Sequence, residues 1–393
     1  MPLVLSASSP VPATRRAAPG MMGASSDGVL NERRERSELS SSLDFPGPMI
    51  NLYSDTQTPP TQAMYDAIRD AELGDDVIRS DPTVNSLEEE VAAMLGKAAA
   101  LLVPSGTMAN LVSAMVHGGS GDEIFLDPDA HVYYYEVGGL CSIAGYVPHF
   151  VTAERGRPDP DALLKAIRPE NVHYPRPRLL WLENTHNRGG GTVLEPERQE
   201  ALVAIARENG LAVHVDGARL FNAAAALGRP VAELVANVDT VNVCLSKGLS
   251  CPVGSVIAGP GDLIDRAREI RKRLGGGMRQ GGIVAAAGRV AIREMVNRLS
   301  EDHVNARALA EGLVDVPGVV VDTESVQTNM VYVDVSAWNI DAFEAKKVME
   351  ADGVLVCDID AEHLRLVTHR LFSADDVPVV LKAFKDLGER VAS

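Results

Sequence analysis

The chain has 393 residues, of which 46% are apolar and 23% charged, a composition that suits a soluble globular α/β protein of two domains or one large unit. Its 37 basic and 54 acidic side chains give a formal charge of −17, and only 4% of residues are aromatic. Nucleic acid and anionic membrane are thereby excluded as main partners, since both demand clustered Lys and Arg, and a base-stacking platform demands aromatics. The four cysteines (Cys141, Cys244, Cys251, Cys357) show no C-x-x-C spacing, and no apolar run approaches the roughly 20 residues that span a bilayer. A cytoplasmic location is expected.

Residues 1–48 are rich in Ser, Pro, Ala and Arg without a hydrophobic period, and read as a disordered extension. Arg15 and Arg16 without an acid before Asp27 hint at a transit peptide, but the mixed charges of Asn31–Glu38 favour an inert tail. From Met49 onward, apolar strand-like runs alternate with helical patterns, the mark of a mostly parallel sheet covered by helices. Strands are expected at Ala99–Val103, Glu123–Leu126, Leu179–Leu182, Leu211–Val215 and Val241–Leu245. Helices are expected at Asp81–Leu95, Thr107–Val116, Pro196–Glu208 and Ile283–Leu299. Further strands at Val319–Val321, Met330–Val335 and Leu364–Val367 alternate with helices at Ile340–Met349 and Ser373–Val391, the last with Ser373 and Asp376 as a capping box. The body therefore divides into a large domain, residues 49–300, and a small α/β domain, residues 301–393.

Several charged residues fall at expected strand ends, where open α/β sheets bind their ligands. Asp216 closes the run LAVHVDG, either as a turn cap or as a ligand carboxylate. Lys247 follows VNVCLS, either solvated or desolvated enough to serve as a Schiff-base nucleophile. An amine and a carboxylate so placed are what pyridoxal phosphate asks of a protein. An anion site is available where Pro104-Ser105-Gly106-Thr107 opens a helix, although G-x-x-x-x-G-K is absent. His131 and His186 each follow a strand, and each is either a turn-capping group or a proton acceptor near a cofactor. The remaining histidines read as structural. Gly275–Gln280 beside Arg271-Lys272-Arg273 could reach a phosphate in this or a neighbouring subunit, or simply end a basic helix. Arg365 alternates with apolar neighbours on a strand, facing solvent or a substrate carboxylate.

Taken together, SDTQTPPTQAM (Ser54–Met64), GDDVIRSDPTV (Gly74–Val84), PSGTMAN (Pro104–Asn110), ENTHN (Glu183–Asn187), HVDGARLFNA (His214–Ala223), CLSKGLSCPVGS (Cys244–Ser255), LGGGMRQ (Leu274–Gln280) and LRLVTH (Leu364–His369) make the chain resemble a threonine aldolase of the β-eliminating lyase group. The resemblance implies a fold-type I, aspartate-aminotransferase-like architecture and pyridoxal 5'-phosphate as cofactor. It implies that Lys247, with Ser246 beside it, holds the cofactor and that Asp216 pairs with its ring nitrogen. Gly106, Thr107 and Met108 would surround the phosphate, and His131 would stack on the ring. His186 would lie near the substrate hydroxyl, while Ser54, Arg219 and Arg365 would hold the substrate carboxylate. Arg219 is also counted among the cofactor's neighbours. Lys272 and Arg279 would reach a site across a subunit boundary in a homo-oligomer, a dimer of dimers with shared sites. No metal is expected. The implied reaction is retro-aldol cleavage of an L-β-hydroxy-α-amino acid to glycine and an aldehyde, with Lys247, His131 and His186 as catalytic candidates.

Two positions depart from the family pattern. Tyr53 stands where the family usually has Arg, and Ile78 stands where it has a tyrosine close to substrate and phosphate. Loss of that hydroxyl favours a bulkier substrate of the phenylserine type over threonine or allo-threonine. Rival readings are a β-eliminating lyase, racemase or aminotransferase on the same fold, and a non-catalytic pyridoxal-phosphate-binding protein. A metal hydrolase is the weakest, since no H-E-x-x-H spacing exists.

Overall fold

The computed structural model describes residues 49–391; the extension expected over residues 1–48 lies outside them. The central element is a seven-stranded sheet built from β1 (Ala99–Val103), β2 (Asp122–Leu126), β3 (Val147–Phe150), β4 (Arg176–Glu183), β5 (Ala212–Gly217), β6 (Thr240–Cys244) and β7 (Ser255–Gly259). Its order is β1-β7-β6-β5-β4-β2-β3. Only β7 runs against the others, pairing antiparallel with both β1 and β6. Six strands therefore end on one edge of the sheet. Alternate side chains take opposite faces: Leu102, Phe125, Leu180, Val213 and Val241 join the main core, while Leu101, Ile124, Leu179 and Trp181 enter the two cores on the other side. Burial on both faces explains why these strands read as continuous apolar runs rather than alternating ones.

Helices α1 (Gln62–Arg69), α2 (Pro82–Met94), α3 (Gly106–His117), α4 (Pro196–Glu208), α5 (Leu220–Leu227), α6 (Gly261–Arg273) and α7 (Gly282–Val290) cover the sheet. Asp81 caps α2 by accepting from the N–H groups of Thr83 and Val84, with Pro82 in the first turn. The single helix expected over Ile283–Leu299 is broken. A π-helical turn at Ala291–Met295 and a 3₁₀ turn at Val296–Arg298 separate α7 from α8 (Leu299–Leu313). Hydrophobic period reports helicity but not which carbonyl each N–H reaches.

A separate core gathers Leu52 with residues from Ala306 to Leu387. It underlies a three-stranded antiparallel sheet of β8 (Met330–Asp334), β9 (Cys357–Asp358) and β10 (His363–Val367), in the order β8-β10-β9, together with α9 (Ala342–Ala351) and α10 (Val377–Val391). Ile50–Asn51 pairs in parallel with Val354–Leu355, which ties the first described residues to this core. The strand expected at Val319–Val321 is reduced to one bridge, Val320 to Asp334, just after Pro317 and the positive-φ Gly318. α10 starts four residues later than expected. Asp376, not Ser373, carries the first helical carbonyl, and its carboxylate accepts from the N–H and Oγ of Ser373.

Candidate active site

Ser54, the segments that follow β2, β4, β5 and β6, and the strand β10 bring five of the expected residues to one cleft of about 410 Å³. Its walls include Tyr53, Ser54, His131, Arg219, Lys247 and Arg365. Lys247 sits three residues past β6 on a turn closed by Ser250, whose N–H donates to the Lys247 carbonyl at 2.8 Å. Ser250 adopts φ +60, and the Thr58 hydroxyl donates to the same carbonyl at 3.1 Å. The backbone of Lys247 is thus pinned while its ammonium makes no hydrogen bond or ion pair among the described residues.

Asp216 is the penultimate residue of β5 and is 1% exposed. Its Oδ1 accepts from the Ala218 N–H at 3.0 Å and its Oδ2 from Asn110 Nδ2 at 2.8 Å. The same Asn110 amide nitrogen donates to Glu136 Oε1 at 2.7 Å, and Asn110 Oδ1 accepts from Asn242 Nδ2 at 3.0 Å. Glu136 Oε1 also lies 2.9 Å from His131 Nδ1. Burial pushes the Glu136 carboxyl upward, against the hydrogen bonds from His131 and Asn110. The His131 main-chain N–H donates to Glu183 Oε2 at 2.7 Å, and Glu183 Oε1 takes the Asn187 N–H at 2.8 Å.

The Arg219 fork is occupied from behind. Its Nε and Nη2 donate to the two oxygens of Asp55 at 2.8 and 2.6 Å, with Asp55 fully buried and Arg219 6% exposed. Burial opposes ionisation of Asp55, but the Arg219 charge outweighs it and holds the carboxyl far below its usual range. Nη1 of Arg219 is left for the cleft. Arg365 faces the cleft rather than solvent; its Nη1 donates to Asn187 Oδ1 at 3.1 Å and its Nη2 to the Tyr53 carbonyl at 3.3 Å, while its buried Nε has no partner. Ser54 Oγ accepts from the N–H and hydroxyl of Thr56 at 3.2 and 2.9 Å.

At the start of α3, Ser105 Oγ takes the Met108 N–H. The N–H groups of Gly106 and Thr107 have no partner among the described residues, as the first amides of a helix do not. A Cβ at Gly106 would stand 2.8 Å from Cys244 Sγ, so only glycine fits so close beneath β6.

Eight expected residues are not on the cleft wall: Gly106, Thr107, Met108, Asp216 and Ser246, and, farther from it, His186, Lys272 and Arg279. His186 is 2% exposed and lies below it: Nδ1 accepts from the Gly189 N–H at 2.9 Å, and Nε2 faces Asp127 at 3.4 Å and Glu183 at 3.9 Å. Burial alone would lower this histidine, but the carboxylates outweigh it and raise it. Gly156 closes over the ring so tightly that a Cβ would fall within 1.9 Å of it. Lys272 lines a second cavity of about 610 Å³ with Val77, Arg79 and Gly277. Arg279 pairs with Asp75 at 2.8 Å. Both belong to the face that carries Ile78, which is 72% exposed.

Sequence reasoning missed Asp55, Glu136 and Glu183 as members of the site. Asp55 lies inside the Ser54–Met64 motif, and Glu136 lies five residues after His131, but neither spacing specifies a partner. It also missed Arg188, which donates to Asp129 and the Tyr135 hydroxyl and covers the Tyr134 ring at 4.1 Å.

An amine without a partner among the described residues, a buried carboxylate, free helix-start amides and two guanidinium groups are an arrangement suited to an anionic ligand. A family model described as Beta-eliminating lyase matches residues 51–336, and the chain belongs to the β-eliminating lyase family. Low-specificity L-threonine aldolase 1 of Arabidopsis thaliana is 45% identical over 341 residues, covering 86% of this chain and 95% of its own. Low specificity L-threonine aldolase of Escherichia coli strain K12 is 43% identical over 323 residues, covering 82% and 94%. Among solved structures, the threonine aldolase of Leishmania major superposes with a TM-score of 0.74 at 16% identity, covering 86% of this chain and 99% of that one. Serine palmitoyltransferase of Sphingomonas wittichii gives 0.70 at 18%, covering 93% and 97%. The fold is that of the fold-type I pyridoxal-phosphate enzymes.

Proposed function

We propose that this protein is a pyridoxal-phosphate-dependent lyase that cleaves L-threonine, L-allo-threonine or a bulkier L-β-hydroxy-α-amino acid to glycine and an aldehyde. The reading rests on one observation: unpartnered Lys247, buried Asp216, His131 and the two guanidinium groups of Arg219 and Arg365 converge at the carboxyl edge of the sheet, in a chain 43% identical or more to proteins named low-specificity threonine aldolases.

The residues present fit pyridoxal phosphate. Gly106 packs against Cys244 Sγ with no room for a Cβ, and the unpaired amides of Gly106 and Thr107 at the helix start suit a phosphate. Asp216 is held in one orientation by the hydrogen bonds it accepts from Asn110 and the Ala218 N–H, which suits pairing with a ring nitrogen. Bound there, pyridoxal phosphate supplies an electron sink for bonds at the substrate α-carbon. Lys247 would hold its aldehyde carbon and yield it to the incoming amine. Arg365, Nη1 of Arg219 and Ser54 would clamp the substrate carboxylate and so fix which α-carbon bond is aligned for cleavage. His131, which lines the cleft and whose Nε2 has no partner among the described residues, would accept the β-hydroxyl proton as the Cα–Cβ bond breaks. The aldehyde leaves, the α-carbon regains a proton from Lys247 or water, and glycine departs. His186, with both ring nitrogens directed at protein groups, would support the loop that carries Asn187 rather than take the proton itself.

The same reading includes a homo-oligomer with shared sites, favoured by the exposed Ile78 and by Lys272 and Arg279 beside it. The cytoplasm is the compartment that four unpaired cysteines favour. The test is incubation of the purified chain and pyridoxal phosphate with L-threonine, L-allo-threonine and L-phenylserine, assaying glycine and aldehyde. Equimolar glycine and aldehyde are expected; a keto acid without glycine overturns the proposal in favour of elimination or transamination.

A further inference from the structure

We propose that Glu136 is a positioning residue that fixes the Nδ1–H tautomer of His131 and, through Asn110, locks the orientation of Asp216. Its catalytic consequence rests on the functional reading above.

The argument starts from donor and acceptor counting. Asn110 offers two N–H donors and one carbonyl. Its carbonyl takes the Asn242 amide, and Asn242 Oδ1 in turn takes the Gly217 N–H at 3.2 Å, so the Asn110 flip is fixed by the network. Both Asn110 donors are then spent on carboxylates, Glu136 Oε1 at 2.7 Å and Asp216 Oδ2 at 2.8 Å. Glu136 is 6% exposed and can only accept while ionised. His131 Nδ1, 2.9 Å from that same Oε1, must therefore carry its proton, which leaves Nε2 as an unprotonated acceptor. The other charged or titratable groups around His131 include Glu183, which holds its backbone N–H, Tyr135 at 5.3 Å between rings, and Tyr134, Arg188, Arg219, Lys247 and Arg365 on the same cleft. Among the described residues none of these forms a hydrogen bond with either ring nitrogen. One amide thus couples the group placed to take the hydroxyl proton to the carboxylate placed to hold the cofactor ring.

Leucine in place of Glu136 removes the acceptor; glutamine keeps it. Because Asn110 presents a donor, the glutamine of E136Q must turn its carbonyl, not its amide nitrogen, toward Asn110 and His131. The test uses the full chain without cofactor, labelled with ¹⁵N-histidine, and reads the ring nitrogen shifts at neutral pH with His131 assigned from H131Q. The wild type and E136Q are expected to show a protonated Nδ1, and E136L a protonated Nε2. In the loaded enzyme E136L is expected to lose about 10- to 100-fold in kcat, the usual cost of removing an orienting partner, with KM little changed and most of the loss recovered by E136Q. A wild-type His131 protonated on Nε2, or an E136L tautomer identical to wild type, overturns the proposal. Should E136L fail to fold, E136Q still decides: a shift of its proton to Nε2 overturns it. The expected tautomers in a chain that binds no pyridoxal phosphate and releases no glycine would sink the functional reading alone.

Discussion

Asp55 to asparagine is the substitution whose effect follows most directly from the structure. The side chain is fully buried, and its two oxygens take Nε and Nη2 of an Arg219 that is itself 6% exposed. Asparagine keeps the volume but turns one acceptor into a donor that faces the guanidinium. Arg219 is then a buried cation without a counter-charge, and breaking one side of such a pair costs about 3–5 kcal/mol. That is a large part of the roughly 5–15 kcal/mol that holds a folded domain together. Burial opposes the Asp55 charge, but Arg219 holds the carboxyl below its ordinary 3.8. The pair's contribution is therefore complete above that pH and lost as pH falls below it. Urea unfolding at neutral pH of D55N, R219M and D55N/R219M measures the effect. The double variant is expected to be more stable than the sum of the singles by about 2 kcal/mol or more, because it leaves no orphaned charge. KM for the amino acid should rise in D55N, since Nη1 of Arg219 loses its backing. A D55N chain within about 1 kcal/mol of wild type, on the same measure, refutes the argument.

Other outcomes are equally open to measurement. Borohydride reduction with pyridoxal phosphate should add one adduct to the wild-type chain by intact mass and none to K247A; labelling of K247A at another lysine would remove Lys247 from its assigned role. Arg365 makes no ion pair among the described residues, so R365M should raise KM about 30-fold or more, the loss of a charged contact worth at least about 2 kcal/mol, while leaving the unfolding midpoint nearly unchanged. G106V, which drives a side chain toward Cys244 Sγ, should weaken pyridoxal-phosphate binding by about tenfold or more in a fluorescence titration. Burial pulls His117 and His303 down to about 4, so both stay neutral in the fold while the unfolded chain protonates near 6.5. These two histidines should cost stability as pH drops from 6.5 to 4, by up to about 3 kcal/mol each, while Asp302, whose carboxyl burial pushes up to about 6, acts in the opposite sense; the stability difference between H303Q and wild type should therefore change across this range, and a difference independent of pH would refute it.

What could be read from the sequence depended on whether one residue or a pair carried the information. The strands that bear Asp216 and Lys247 are apolar runs because both faces of the sheet are covered, so their ends could be located within a residue or two. β7 was missed although it sits between β1 and β6; SVIAG carries only Val256 and Ile257 as large apolar residues, and a hydrophobic run does not tell its direction. Arg365 was left between solvent and cleft because strand alternation gives opposite faces but not which face is inward; its pairing with Tyr332 and Cys357 decides that. His186 shows the opposite case. Its place just after β4 suggested a reacting group, but Gly156, from a distant loop, roofs it over.

The overall charge conceals how the cleft selects its ligands. Residues 1–48 hold five cations and five anions, so the whole −17 belongs to residues 49–393. Within that acidic body most arginines are neutralised by their own carboxylates, as Arg219 is by Asp55 and Arg271 by Asp76. Lys247 and Arg365 are exceptions, with no ion pair among the described residues, and they face the same cleft as Nη1 of Arg219. An anionic ligand entering there meets cations whose desolvation is already part of the fold and whose counter-charge it must supply. On the proposed reading, specificity for the substrate carboxylate thus comes from which cations were left unpaired. Their number in the chain carries no such information, and an acidic protein can hold two anions side by side without any basic patch on its surface.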